Sequence, residues 1–359
     1  MNDPASTVAN PALGVIIFVL GGFAGAIFYL PFKKVKNWAW ESYWMIYAIT
    51  GLVVVPLLLA MATSPNFIKV ISSAPSKETT YCFMCGAMWG VGGLTWGLMI
   101  RYLGVGLGLA IGCGLCSAAG TIIPTMIKGQ FLQLFQSSAG IVSLIGVVVS
   151  IVGIVLVGTA GMSKEKELPD EEKKKAVAEF NFKKGIIVAI FSGLMSSAMS
   201  FGLQGGANME KLALTIQPQT SNTWRGIPVL VVVLAGGFVV NALWCLFLNL
   251  KNKTIGDYIK ADSPKIANLF FAAIAGAIWC SQFICFKTGE PAMGKMAYVG
   301  WAVLMASSIM FSALLGILLG EWRGTSKRTR TYLAIGLVLL LISSIIAAIS
   351  GYMGQQAVG

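Results

Sequence analysis

Among its 359 residues the chain has no histidine. That removes a histidine triad, a histidine metal site and a histidine proton relay. Charge is scarce as well. Asp, Glu, Lys and Arg make up 11% of the chain, against roughly 25% in soluble proteins. No phosphate-binding loop of the ATPase type is present. The glycine-rich run "GVGLGLAIGCG" at 104–114 falls inside an apolar segment, where small residues let helices approach closely. The two CxxC pairs, Cys82/Cys85 and Cys113/Cys116, are separated by 27 residues and both lie in apolar runs. They lack the context of a zinc ribbon and read as small packing residues. No metal or other cofactor is implied.

Apolar residues, by contrast, are abundant, at 56% of the chain. Runs of about 20 residues, the length that crosses a bilayer core, recur throughout. The pattern predicts an all-α integral membrane protein with ten spans. They fall near 12–32, 38–63, 81–100, 102–124, 138–162, 185–205, 227–249, 267–287, 295–319 and 331–353. The charged stretch "SKEKELPDEEKKKAVAEFNFKK" at 163–184 reads as a short surface helix or a flexible linker. It divides an N-terminal five-helix half, 1–162, from a C-terminal one, 185–359.

Of the 26 lysines and arginines, 19 fall in gaps after odd-numbered spans and 7 in gaps after even-numbered ones. Cytoplasmic loops carry the positive excess, so the odd gaps are expected inside and both termini outside. The net charge of +12 is then topology charge, and no nucleic-acid footprint is present. In "FYLPFKKVKNWAWESYWMIY" (28–47) the lysines read as a cytoplasmic anchor. Trp38, Trp40 and Trp44 read as an aromatic belt.

Two short similarities recur five spans apart. "GAMW" (86–89) matches "GAIW" (276–279), and "GGFAGAIFY" (21–29) matches "GLMSSAMSF" (193–201). A five-span repeat inverts in the membrane, because five is odd. Inverted repeats characterise secondary transporters, with a substrate site near the midplane. Candidate ligand-facing residues follow from polarity and aromaticity inside spans. Trp89 and Trp96 share one helix face, and Trp279, Gln282 and Phe286 share another. Gln204, Asn241 and Trp301 add to the set. Indole faces beside amides suit a polyhydroxylated neutral ligand. Trp301 reads equally as a belt residue, Trp96 as packing mass and Asn241 as an interhelical hydrogen-bond former.

The stretches "FYLPFKKVKNWAWE" (28–41) and "GAMWGVGGLTWGLMIRYLGVGLG" (86–108), with the Trp279/Gln282 segment and "GEW" at 320–322, resemble the L-rhamnose–proton symporter family of the drug/metabolite transporter superfamily. The resemblance runs the length of the chain. It implies a ten-helix carrier of the bacterial inner membrane, with outward termini, that takes up a 6-deoxy sugar with a proton. An uncoupled facilitator or exporter of another small metabolite shares the same pattern, and sodium in place of the proton stays open. Enterobacterial members carry histidines in spans 8 and 9. This chain has none, so its coupling cannot need histidine. Of its 14 acidic residues, only Glu41 falls within an expected span. Glu41 is therefore the candidate coupling carboxylate, with Arg101 as the cation at the same face. The simpler alternative is a carboxylate at a helix N-terminus, paired with Arg101 or Lys33.

Overall fold

A computed structural model describes residues 10–127, 135–169, 179–260, 262–293 and 300–356. Every regular element among these residues is helical. In chain order they are α1 (Pro11–Ile27), α2 (Trp40–Thr63), α3 (Phe67–Ser73), α4 (Ser76–Leu103), α5 (Val105–Ile127) and α6 (Ser138–Glu167). Then come α7 (Phe182–Ser196), α8 (Ala198–Gln204), α9 (Ala207–Thr215), α10 (Ile227–Lys251), α11 (Lys265–Met293), α12 (Gly300–Leu318) and α13 (Lys327–Gln356). Eight stretches among the described residues are long and apolar enough to cross a membrane. They stand at the expected spans 1, 2, 3, 5, 6, 7, 8 and 10. At expected spans 4 and 9 the apolar helices are shorter, Leu107–Ala119 within α5 and Val303–Leu318 within α12.

Three local features set the geometry. First, α2 holds a wide turn at Thr50–Val54, just before Pro56. Pro56 has no N–H to give to the preceding turn, and the wider turn takes up that defect. Gly51 there lies on the Gly276 carbonyl of α11, which a Cβ would meet at 2.6 Å. Second, α4 and α10 touch backbone to backbone. A Cβ on Gly86 would lie 1.8 Å from the Val233 oxygen, and one on Gly236 would lie 2.0 Å from the Phe83 oxygen. Without lipid-excluding hydrophobicity to drive it, helix association in a bilayer rests on this kind of close packing. Third, the N-terminus of α2 is capped from a distance. Asp257 Oδ2 accepts the Ala39 N–H at 2.7 Å and the Ser42 hydroxyl at 2.8 Å, which places negative charge at a helix start.

Two sequence boundaries shift. The expected linker begins at 163, but α6 runs on to Glu167. The reason is tertiary: Glu167 accepts from the Ser326 N–H at 2.7 Å and from the Thr329 hydroxyl at 2.6 Å, joining α6 to the start of α13. Residues 170–178 of that segment lie outside the described residues. Likewise span 8 was expected to stop at 287, yet α11 continues through Glu290 and Pro291 to Met293. The pairing of Lys287 with Glu290 one turn later supports those extra turns.

Candidate functional site

The helices enclose a cavity of about 60 Å³ walled by α1, α2, α4, α5, α7, α8, α11 and α12. Each of the four repeated sequence segments lends residues to it: Gly25 and Phe28, Trp89, Ser196 and Met199, and Trp279. Trp89 and Trp279 stack on one another, with centroids 4.7 Å apart and planes inclined at 27°. Trp96, Gln282 and Trp301 complete the expected members of the wall. Phe283 leans on Trp279 at 4.7 Å, and Phe286 meets Trp301 edge-on at 5.4 Å.

Two polar groups in this wall are unengaged. The Trp301 indole N–H and the Ser196 hydroxyl are buried with no hydrogen-bond partner among the described residues. A buried donor without an acceptor costs about 1–3 kcal/mol, so a wall that holds two of them is suited to a ligand with acceptors. The Gln282 carboxamide lies against Gly25, where a Cβ would come within 2.7 Å of Cδ, Nε2 and Oε1. Only glycine leaves room for the amide there.

Two expected site residues lie elsewhere. Gln204 is exposed at the end of α8 and does not line the cavity. Asn241 is buried behind the wall: its Oδ1 accepts the Trp44 indole N–H at 2.9 Å and its Nδ2 donates to the Gly237 carbonyl at 2.8 Å. Asn241 therefore orients Trp44, and Trp44 lines the cavity with Tyr47. The belt reading of the indoles at 38 and 44 is corrected by this. Trp44 is 2% exposed and stacks on Trp40 at 4.9 Å. Trp38 is buried against Tyr258 and donates to the Ser263 hydroxyl at 3.2 Å. Because α2 begins at Trp40, residues 40, 44 and 47 share its inward face. That spacing was a signal for Trp44 and Tyr47 that the charged flank obscured.

Glu41 is buried in the first turn of α2. Its Oε1 accepts from Asn252 Nδ2 and Thr254 Oγ1, both at 2.9 Å. No lysine or arginine among the described residues pairs with it. Arg101 is half-exposed and forms an ion pair with Glu179 instead. The elimination that singled out Glu41 also changes, since Glu290 lies inside α11 and Glu210 inside α9. All seven cysteines are free, and Cys113 and Cys116 line the cavity. No group of three or more metal-ligating side chains occurs among the described residues.

Comparison with known proteins gives the chemistry a context. The family model described as L-rhamnose-proton symport protein (RhaT) matches residues 8–353. The L-rhamnose-proton symporter of Escherichia coli (strain Crooks) is 31% identical over 343 residues, covering 94% of this chain and 97% of the relative. Those of Yersinia pestis (strain Pestoides F) and Klebsiella pneumoniae (strain 342) are also 31% identical, over 339 and 338 residues. They cover 93% and 92% of this chain, and 96% of each relative. No solved structure matches. A model matched over nearly the whole chain, together with relatives of the same length, places the protein in the L-rhamnose-proton symport family, a family of transporters rather than enzymes.

Proposed function

We propose that the protein takes up L-rhamnose, or a close 6-deoxy analogue, together with a proton, by alternating access across the bacterial inner membrane. On this reading its ten spans form two inverted repeats, 1–162 and 185–359, and both termini face outward. The observation that carries the reading is the wall itself: a stacked pair of indoles beside two unengaged buried donors and a carboxamide. An indole face takes the C–H face and methyl group of a deoxy sugar, while N–H, O–H and amide groups take its hydroxyls. Trp89, Trp96, Trp279, Gln282, Trp301 and Ser196 are the proposed contacts. Asn241 holds Trp44 in place, and Gln204 has no contact role.

The present cavity is narrow. At about 60 Å³ it holds a few waters, each needing some 10–15 Å³, so the Trp89–Trp279 stack parts when sugar enters. Glu41 is the proposed carboxylate for proton transfer at the face carrying the basic loops. Asn252 and Thr254 hold it here, and Arg101, now paired with Glu179, is the proposed partner cation in the other access state.

The test is binding and transport of L-rhamnose, fucose, lyxose, mannose and glucose by purified protein in detergent and in proteoliposomes. L-Rhamnose is expected to stabilise the protein most, and to accumulate when a pH gradient, but not a sodium gradient, is imposed. Equilibration without accumulation would mark a facilitator. Trp279→Ala and Gln282→Ala should each weaken binding by roughly 1–3 kcal/mol, and unchanged affinity in both would remove the cavity as the site. Glu41→Gln should keep sugar binding and exchange, yet lose uphill uptake.

A further inference from the structure

Above the cavity, towards the C-terminal end of α11, lies a group of charges that the sugar site does not use. The Lys287 side chain is 2% exposed. Its Nζ lies 2.5 Å from Glu210 Oε1 on α9, 2.5 Å from Glu290 Oε2 one turn along α11, and 3.2 Å from the Leu203 carbonyl on α8. Arg225 Nε approaches the other Glu210 oxygen at 3.3 Å. The Lys287 stem crosses Gly226 so closely that a Cβ there would lie 2.2 Å from its Cε. With all four groups ionised, the charges cancel. A buried ion group of this kind is weak evidence of stabilisation, because desolvation offsets the attraction. Ionisable groups inside membrane spans are functional candidates by default.

The position of the group ties it to the cavity. Phe283, Lys287 and Glu290 follow one another at helical spacing on one face of α11, with the whole stripe spanning roughly 10 Å. Phe283 lines the cavity. Phe286 lies 5.9 Å from the Lys287 ammonium and edge-on to Trp301. Leu203 follows the cavity residue Met199 on α8. Lys287 thus fastens α8, α9 and the 222–225 turn to the helix that carries Trp279 and Gln282. It does so at the start of α10, whereas Glu41 sits at the far end of that helix with Asn252.

We propose that Lys287, Glu210, Glu290 and Arg225 form a proton-binding latch on the face carrying the 206–226 segment, and that a proton taken up there opens the cavity to sugar. The proposal rests on the reading of the protein as a proton-coupled sugar carrier. A proton adds to a carboxylate oxygen of Glu290 or Glu210 and neutralises that group. The cluster is left with one positive charge in excess, inside a poorly solvated site where unpaired charge is disfavoured. Lys287 and Arg225 then gain by hydrating, and α9 with the 222–225 turn parts from α11. Loss of the proton restores the ion pairs of the cluster and closes the same face. The order of events is proton first, sugar second.

The other titratable groups facing the latch come from α4. Glu78 is fixed by the Met209 N–H at 2.9 Å and by Asn208 Nδ2 at 2.7 Å, Cys82 is buried, and Tyr81 reaches Gly205. On α9 the neighbouring Lys211 is exposed. Helix α1, packed along α11, carries no ionisable residue, and the only ones on α10 are Cys245 and Lys251, the latter at its far end.

The experiment is exchange of labelled L-rhamnose across proteoliposomes holding equal sugar on both sides, followed as the external pH is lowered. Wild-type exchange should quicken, by at most about tenfold per pH unit for a single proton. Glu290→Gln should exchange at the fast rate at every pH, and Glu210→Gln should behave alike. A wild-type pH slope in both variants overturns the latch. If wild-type protein exchanges no L-rhamnose at all, the sugar reading fails, and the latch is read instead from hydrogen exchange of residues 207–215 in purified protein. After correction for intrinsic chemical rates, protection there should fall with pH in the wild type and stay low in Glu290→Gln. Protection that is the same at every pH in both overturns it.

Discussion

Trp301 and Ser196 offer the sharpest residue-level test, because stability and affinity should move in different directions. Their donors are buried without partners, so removing them takes away a liability of the sugar-free protein. Ser196→Ala, and Trp301→Phe with its edge contact to Phe286 retained, should leave the unliganded melting temperature unchanged or slightly raised. Sugar affinity should fall roughly two- to tenfold for each lost hydrogen bond, by the usual worth of about 0.5–1.5 kcal/mol. Thermal denaturation and a binding isotherm on the same preparations check both halves. A purely structural role predicts loss of stability with affinity intact. Gly25→Ala probes the wall from behind. The new methyl meets all three terminal atoms of Gln282 at 2.7 Å, so it should displace the carboxamide and weaken sugar binding about as much as Gln282→Ala does.

Among the elements, the junction of α6 with α13 has its own pH signature. Glu167 accepts from the Ser326 N–H and from the hydroxyls of Thr329, Ser326 and Ser163. These bonds, the Ser326 N–H foremost, hold its carboxyl down at about 2, below the ordinary 4.5. A depressed carboxylate contributes its stability above the unfolded pKa and loses it as pH falls through the folded one. The melting-temperature gap between wild type and Glu167→Gln should therefore stay constant down to about 4.5 and close between there and about 2. A gap that closes near neutrality would assign the effect to another group.

The same junction shows what sequence pattern could and could not convey. Apolar runs located the long helices, since length and hydropathy are properties of a single segment. Helix ends were less legible. Glu167 and Glu290 look like loop residues until Ser326 is brought beside the first, and Lys287 with Glu210 beside the second. In the site, the two matched indoles were legible because their spacing repeats. Ser196 and Trp44 were not, the first because a serine in a span carries little signal, the second because lysines beside it pointed to an interface. Asn241 and Gln204 were polar for other reasons: one orients a neighbour, and the other ends a helix.

For the whole molecule, contacts between segments bear on how the chain crosses the membrane. The 33–37 stretch, after expected span 1, meets 262–268, after span 7, through Lys36 N–H to Asn268 Oδ1 at 3.0 Å and Asn37 Nδ2 to the Asp262 carbonyl at 3.1 Å. Arg101, after span 3, pairs with Glu179, after span 5. Glu167, after span 5, meets Ser326, after span 9. Glu78, after span 2, meets Met209, after span 6. In each of these contacts an odd gap touches an odd gap or an even gap an even one, the pairing that the proposed ten alternating crossings predict. Lys287, counted with an even gap, is buried in the latch, so the loop asymmetry becomes 19 against 6. We therefore expect the odd face, with the 163–184 segment, to be cytoplasmic, and the even face, with 206–226, to be outside. Enzyme reporters that work only outside the cytoplasm should be active when fused within 206–226 and silent within 163–184. The opposite pattern would invert the protein and, with it, the side from which the Lys287 latch takes its proton. Activity at both sites would break the alternation and take away the inverted repeat.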